Sequence, residues 1–142
     1  MSEILDFVQR HPLLVGAFVA TLGLLIWTEI QRLTRNFADV SPQEAVLMIN
    51  RDDAVVIDVR EANELGSGRI PGAKHIPLSS FSKRINELDK FRNHKALVYC
   101  RSGQRSLSAC KQLKNHGFEE VANLKGGIIA WESANLPVTK KK

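Results

Sequence analysis

The sequence predicts an α/β domain, a mainly parallel sheet flanked by helices, preceded by one N-terminal transmembrane helix. Two observations support this prediction. Short β-branched apolar runs alternate with helical patterns from residue 41 onward, which is typical of parallel sheets. Upstream, residues 11–28 contain no fully charged side chain. We therefore divide the chain into residues 1–40, a transmembrane helix with a short linker, and residues 41–142, a single globular domain.

Composition and cysteine count exclude several functional classes. The 142-residue chain is 44% hydrophobic and 25% charged, which is ordinary for a globular protein, and its formal net charge is +5. The positive residues are scattered without forming a basic stripe, so we expect no nucleic-acid partner. Cys100 and Cys110 are too few for a disulfide scaffold and do not match zinc-ligand spacing. We expect no metal ion and no cofactor.

The segment HPLLVGAFVATLGLLIWT, residues 11–28, fits a membrane span. As a helix it would be about 27 Å long, close to the ~30 Å hydrocarbon core of a bilayer. Trp27 lies at one edge, where interfacial aromatic residues are expected. A cleaved signal peptide would need small residues after the apolar run. An interfacial helix would need a charged face, and a helix buried in a soluble domain would need a single apolar stripe. The segment has none of these patterns.

The charges that flank the span indicate its orientation. Arg10 precedes it, whereas Arg32 and Arg35 follow it, which favours a cytoplasmic C-terminal side. A free, reactive cysteine is compatible with that reducing compartment. We expect a single-pass protein of a bacterial inner membrane whose C-terminal domain faces the cytoplasm. Gly16 and Ala20 have the small-xxx-small spacing of packed transmembrane helices, so a membrane-protein partner is a further expectation.

The elements of the globular domain are predicted in chain order. Ser41, Pro42 and Glu44 have the pattern of an N-cap, a first helical residue and a capping box. Residues 54–59 form a buried strand, and residues 66–81 form a loop with a short extended piece. The remaining predicted elements are a helix at residues 79–91, a strand at residues 96–100, a helix stopped by Gly117, a strand at residues 120–124 and a last helix ending near Asn135.

The polar segment YCRSGQRS, residues 99–106, is the candidate site. Parallel sheets bind ligands beyond the carboxyl ends of their strands, and Cys100 lies at such an end. The backbone N–H groups of a tight turn, the N-terminus of the next helix and the charges of Arg101 and Arg105 should all favour a thiolate. Gly103 should permit the turn. We therefore expect the pKa of Cys100 to lie below the free-cysteine value of about 8.5.

A sulfur anion held in this way can attack an electrophilic sulfur and keep the transferred atom as a persulfide. Buried free cysteines are usually inert. We expect Cys110 to be inert, because it lies on the apolar face of the following helix. We expect no disulfide between the two cysteines. The cationic loop favours the reactive interpretation for Cys100.

Three segments resemble the signatures of the rhodanese-like domain family. Residues 100–105, CRSGQR, match its Cys-x-x-Gly-x-Arg active-site loop. Residues 56–78, VIDVREANELGSGRIPGAKHIPL, are similar to its first signature, and residues 124–138, LKGGIIAWESANLPV, to its last. The resemblance covers about residues 41–138 and implies a rhodanese-like parallel sheet.

The resemblance implies a sulfurtransferase that moves sulfane sulfur from a donor such as thiosulfate to a thiophilic acceptor. Its partners would be a small-molecule sulfur donor and a thiol acceptor, and Cys100 would be the nucleophile and persulfide carrier. Loop N–H groups would stabilise the sulfur anion, while the two arginines would attract the sulfonate of the donor or brace the loop. The residues implied in substrate binding are Arg101, Ser102, Gly103, Gln104 and Arg105.

Four further positions are read against the family pattern. Asp58 and Arg60 would either support the site from beside it or form a structural hydrogen-bonded pair. Arg69 stands where the family often has histidine, and its charge would favour an anionic donor or have no effect. Asn135 stands where the family usually has glycine, and asparagine tolerates the left-handed conformation expected there.

Loop length separates this pattern from rhodanese-like phosphatases and arsenate reductases, in which Cys and Arg are six residues apart. Here Arg105 is five residues after Cys100. The shorter ring of N–H groups suits a sulfur atom better than a phosphoryl group, so phosphatase activity is not expected.

The alternative function is a rhodanese-like binding or scaffold module that recruits partners at the membrane. A cellular role that survives Cys100→Ser but requires the membrane anchor would favour this alternative.

Overall fold

The computed structural model describes residues 1–140; residues 141 and 142, the end of the predicted domain, lie outside the described part. The chain divides into two compact units, residues 1–35 and the part from residue 36 onward. The first unit consists of helix α1, Ser2–Arg10, which was not predicted, and helix α2, Pro12–Leu33. Helix α2 has 22 residues and is long and apolar enough to span a membrane.

The second unit is built on a parallel sheet, which confirms the predicted fold class. Its five strands lie in the order β1-β5-β4-β2-β3, and every neighbouring pair is parallel. The strands are β1 Ala38–Val40, β2 Val55–Asp58, β3 Lys74–His75, β4 Ala96–Tyr99 and β5 Val121–Leu124. The α-helices are α3 Pro42–Arg51, α4 Phe81–Arg84, α5 Arg105–Asn115 and α6 Gly127–Ser133.

Strand alternation sends side chains to two separate apolar cores, one on each face of the sheet. Within β4, Ala96 and Val98 belong to one core, whereas Leu97 and Tyr99 belong to the other. Cys100 continues this alternation and joins the first core. Because successive residues of a strand point to opposite faces, the sequence position of Cys100 decides which core surrounds its sulfur.

Helix boundaries follow local signals that the sequence analysis identified. Ser41 accepts a hydrogen bond from the backbone N–H of Glu44, whose carboxylate accepts one from the N–H of Ser41, as predicted for the start of α3. Asn135 follows α6 with φ of +57°, the left-handed conformation expected there. Gly117 follows α5 with φ of +99°, which a side chain would strain.

Two parts of the second unit differ from the prediction. Strand β1 pairs with β5 at the edge of the sheet, although the sequence analysis placed residues 36–40 in the linker. It was missed because three residues are too few to show an apolar alternation. Residues 79–91 are helical as predicted, but α4 is flanked by 3₁₀ helices, Leu78–Ser80 and Ile85–Phe91.

Candidate active site at the end of strand β4

The loop after β4 is held close to the start of α6. Its residue Gly103 has φ of +91°, and a Cβ there would lie 3.1 Å from the carbonyl oxygen of Leu124. The backbone N–H of Ile128 donates to the carbonyl oxygen of Cys100 at 2.9 Å. A Cβ on Gly127 would collide with the Cys100 carbonyl group. Glycine is therefore required by close backbone approach at residue 127, and is favoured at residue 103 by the positive φ together with a tight contact.

The sulfur of Cys100 is buried and hydrogen-bonded. The backbone N–H of Gly103 donates to Sγ at 3.1 Å, and Oγ of Ser106 lies 3.4 Å from the same atom. Burial raises the pKa of Cys100, but hydrogen bonds from the Ser106 hydroxyl and from the backbone N–H groups of Ser106, Gly103 and Ser102 outweigh it and leave the pKa lowered. The expected direction is therefore found, with hydrogen bonds rather than arginine charges as the main cause.

The two arginines of the loop have different surroundings. Arg105 pairs with Glu64, with Nη2 2.6 Å from Oε1 and Nη1 2.8 Å from Oε2. The hydrogen bond from Arg105 is the main reason why the pKa of Glu64 falls to about 2. Arg105 is therefore placed to brace the loop, one of the two roles considered for it. The side chain of Arg101 is exposed to solvent, as are those of Ser102 and Gln104.

Asp58 and Arg60 form a buried ion pair with each other. Nη2 of Arg60 lies 2.7 Å from Oδ2 of Asp58, and Nε donates to both carboxylate oxygens at 3.1 Å. The hydroxyl of Tyr99, the residue before Cys100, donates to the same Oδ2 at 2.8 Å. All three side chains are at most 2% exposed. Such a pair is stable only because each of its polar groups has a partner.

This buried network reaches the loop after β4 through the backbone of the segment that contains Glu64. Arg60 donates to the carbonyl oxygens of Gly68 and Glu64, at 2.9 and 3.3 Å. The hydroxyl of Tyr99 accepts a hydrogen bond from the backbone N–H of Ile70. The network therefore fixes the segment whose carboxylate binds Arg105. These contacts favour the structural interpretation of Asp58 and Arg60.

Three polar residues around the loop were given no role in the sequence analysis, although Ser106 lies within the segment that it named as the candidate site. Glu64 binds Arg105, Ser106 contacts the sulfur, and Asn123 on β5 hydrogen-bonds both Ser106 and the carbonyl oxygen of Gly103. Of the other two, only Asn123 had a signal in the sequence, because it is a polar residue inside an otherwise apolar strand.

Two remaining residues have plain structural surroundings. The guanidinium of Arg69 donates to the carbonyl oxygen of Ala73 within its own loop at 3.2 Å. Cys110 is a buried free thiol in the first core, and burial raises its pKa. Cys110 therefore has the inert environment that the sequence analysis predicted.

Comparison with known proteins identifies the family of this site. The model of the family described as Rhodanese-like domain matches residues 41–134, which include the loop that begins at Cys100.

The chain belongs to the rhodanese-like domain family.

Relatives of known sequence and structure agree with this assignment. The protein YibN of Escherichia coli strain K12 is 33% identical over 143 residues and covers 100% of both chains. A thiosulfate sulfurtransferase of Glaesserella parasuis is 31% identical over 106 residues, covering 75% of this chain and 96% of its own. A solved rhodanese-related protein of Thermoplasma volcanium has a TM-score of 0.65 at 31% identity, covering 74% of this chain and 100% of its own. Membership in this family supports sulfur transfer, from a sulfur donor to a thiol acceptor, as the general activity.

Removing one member of the buried ion pair should destabilise the fold. We expect Arg60→Met to lower the free energy of unfolding by about 3–5 kcal/mol, because the carboxylate of Asp58 stays buried without its cation. Arg101→Met, a matched change at an exposed position, should cost about 0.5 kcal/mol or less. Urea titration of both full-length variants in detergent micelles, followed by circular dichroism, measures the difference. Equal effects of the two substitutions would contradict the structural role.

The pair between Glu64 and Arg105 should make stability depend on pH. The pKa of Glu64 is lowered from about 4.5 to about 2 in the folded chain, so its ionised form stabilises the fold above pH 4.5. That contribution is lost as the pH falls toward 2. Glu64→Gln should therefore lower the melting temperature at pH 6, with the gap to the wild type narrowing between pH 4.5 and pH 3. Glu132→Gln, at an exposed position of α6, is the control; a gap that is constant with pH would refute the expectation.

Proposed function

We propose that this protein is a membrane-tethered sulfurtransferase that accepts sulfane sulfur from thiosulfate and carries it as a persulfide on Cys100. The observation that supports this most directly is the buried sulfur of Cys100, which receives the backbone N–H of Gly103 at 3.1 Å and has a lowered pKa. The thiolate is the reactive form of cysteine, and a lowered pKa increases its fraction. The named thiosulfate sulfurtransferase among the relatives supports thiosulfate as a donor.

In the first step the thiolate of Cys100 attacks the outer sulfur of thiosulfate. The sulfur–sulfur bond of the donor breaks, its electron pair leaves with sulfite, and Cys100 holds a persulfide with a negative terminal sulfur. Backbone N–H groups of the loop are placed to stabilise this anion, since they already donate to Sγ. Exposed Arg101 supplies the positive charge that attracts the sulfonate, because Arg105 is paired with Glu64.

In the second step a thiolate of the acceptor attacks the terminal sulfur of the persulfide. The bond between that sulfur and Sγ breaks, the acceptor leaves as a persulfide, and Cys100 returns as a thiolate. A cysteine with a lowered pKa is a good leaving group in such exchanges. The environment that activates Cys100 as a nucleophile therefore also favours its release.

The membrane tether in this proposal is helix α2. It has the length and composition of a span, and the similarity to the Escherichia coli protein extends over the whole chain, including this helix. The positive charges of Arg32 and Arg35 after the span favour a cytoplasmic position for the C-terminal unit. We therefore propose a single-pass protein of a bacterial inner membrane whose acceptor is a cytoplasmic thiol.

Persulfide formation should be specific to Cys100. Incubation of the full-length chain with thiosulfate should add one sulfur atom, because the thiolate of Cys100 is the activated nucleophile. Intact mass spectrometry before and after addition of a reductant measures the gain and its reversal. Cys110→Ser, the matched control, should still gain sulfur, whereas Cys100→Ser should not. No gain in the wild type with thiosulfate would contradict the proposed donor.

The tether and its orientation should be measurable in cells. The full-length protein should sediment with membranes and resist extraction by carbonate, whereas a chain that lacks residues 1–35 should be found in the soluble fraction, because α2 is the only helix of residues 1–140 long and apolar enough to span. A C-terminal tag should be protected from protease added to intact spheroplasts. Recovery of the full-length protein in the soluble fraction would contradict the tether, and digestion of the tag would contradict the orientation.

A further inference from the structure

Asn123 is a buried polar residue whose side chain connects three elements around the catalytic loop. It is 2% exposed and lies on β5, next to β4, the strand that precedes Cys100. Its Nδ2 donates to Oδ1 of Asp39 on β1 at 2.9 Å and to the carbonyl oxygen of Gly103 at 3.2 Å. Its Oδ1 accepts a short hydrogen bond from the hydroxyl of Ser106. The two donated bonds fix which end of the amide faces Ser106.

The hydroxyl of Ser106 has two acceptors and one hydrogen. Oδ1 of Asn123 and Sγ of Cys100 both lie within hydrogen-bond distance of Oγ, and the contact to Asn123 is the shorter. A serine hydroxyl carries a single hydrogen, so it donates to one of these atoms at a time. When it donates to Asn123, Oγ presents only lone pairs toward Cys100. These lone pairs accept a hydrogen bond from the neutral thiol and give nothing to the thiolate, so the hydroxyl lowers the pKa of Cys100 only while it points to the sulfur.

We propose that Asn123 is a positioning residue that competes with the sulfur of Cys100 for the hydroxyl hydrogen of Ser106 and thereby limits the fraction of thiolate. Turning the hydroxyl toward an ionised sulfur leaves Oδ1 of Asn123 buried without that donor, which is unfavourable. Asn123 therefore favours the thiol, whereas the loop N–H groups favour the thiolate. The nucleophilicity of a thiolate falls with its pKa, so the competition keeps the sulfur nucleophilic.

Several other charged and titratable groups lie near Cys100, and only Asp39 loses a hydrogen bond when Asn123 is replaced. That loss is the same with and without the hydroxyl of Ser106. These groups are Arg101 in the loop, Arg105 and Cys110 on α5, Glu64 through its pair with Arg105, and Asp39 on β1. Because they are common to all variants, a comparison among variants isolates the hydroxyl of Ser106.

The test is a pH profile of the alkylation of Cys100 in four full-length proteins in detergent micelles. The proteins are the wild type, Asn123→Leu, Ser106→Ala and the double variant. Mass spectrometry of the peptide that contains Cys100 gives the rate with iodoacetamide, and each rate is divided by its own plateau at high pH. This division removes differences in access, so the profile reports the pKa of Cys100 alone.

With Ser106 present, Asn123→Leu should raise the normalised rate below the pKa by about 3- to 10-fold, because the hydroxyl then donates to sulfur. In the Ser106→Ala background the same substitution should give no increase. A residue that merely tethered the loop would act in the opposite direction, since a loosened loop donates fewer N–H groups to the sulfur. A lower rate in Asn123→Leu, or an equal increase in both backgrounds, would overturn the proposal.

Asn123→Ala provides the same comparison if leucine prevents folding, which circular dichroism would show.

The inference rests on the proposed role of Cys100 as the sulfur carrier. The alkylation measurement contains no sulfur donor, however. Its outcome is therefore independent of whether thiosulfate forms a persulfide, and the two proposals fail separately.

Discussion

The hydrogen bond from the Gly103 amide to the buried sulfur of Cys100 is the interaction on which the rest of the site depends. A sulfur surrounded by an apolar core is driven toward the neutral thiol by desolvation, and only donors at fixed positions reverse that tendency. Backbone amides suit this task because they are held by the fold and need no reorganisation when charge appears. Most other polar contacts near the loop keep these amides in place.

The support is arranged in successive layers around the loop. The ion pair of Arg105 with Glu64 holds one side of it, and the network of Asp58, Arg60 and Tyr99 holds the segment that contains Glu64. The network of Asp58, Arg60 and Tyr99 is more buried than the pair of Arg105 with Glu64, because each of its residues is at most 2% exposed. Because removing one member of a buried pair leaves an uncompensated charge, an arrangement of this kind gives a single stable loop conformation.

The sequence was sufficient to predict most elements and the loop after β4, but it was insufficient to predict which distant side chains pair with each other. Apolar runs predicted β2, β4 and β5, and the cap at Ser41 predicted the start of α3, because these signals are local. Strand β1 is too short for such a signal. Glu64 lies 41 residues from Arg105 and Asn123 lies 17 residues from Ser106, so no spacing rule connects them. Their pairing depends on strand order, which only the structure gives.

Because Gly127 lies close to the carbonyl group of Cys100, substitutions at residue 127 should impair the protein for a steric reason. Any side chain at residue 127 pushes directly on the peptide that precedes the loop, although residue 127 itself carries no reactive group. In a screen of random variants, residue 127 should therefore tolerate substitution as poorly as Cys100. Such a loss would arise from steric exclusion and would not identify a chemical participant.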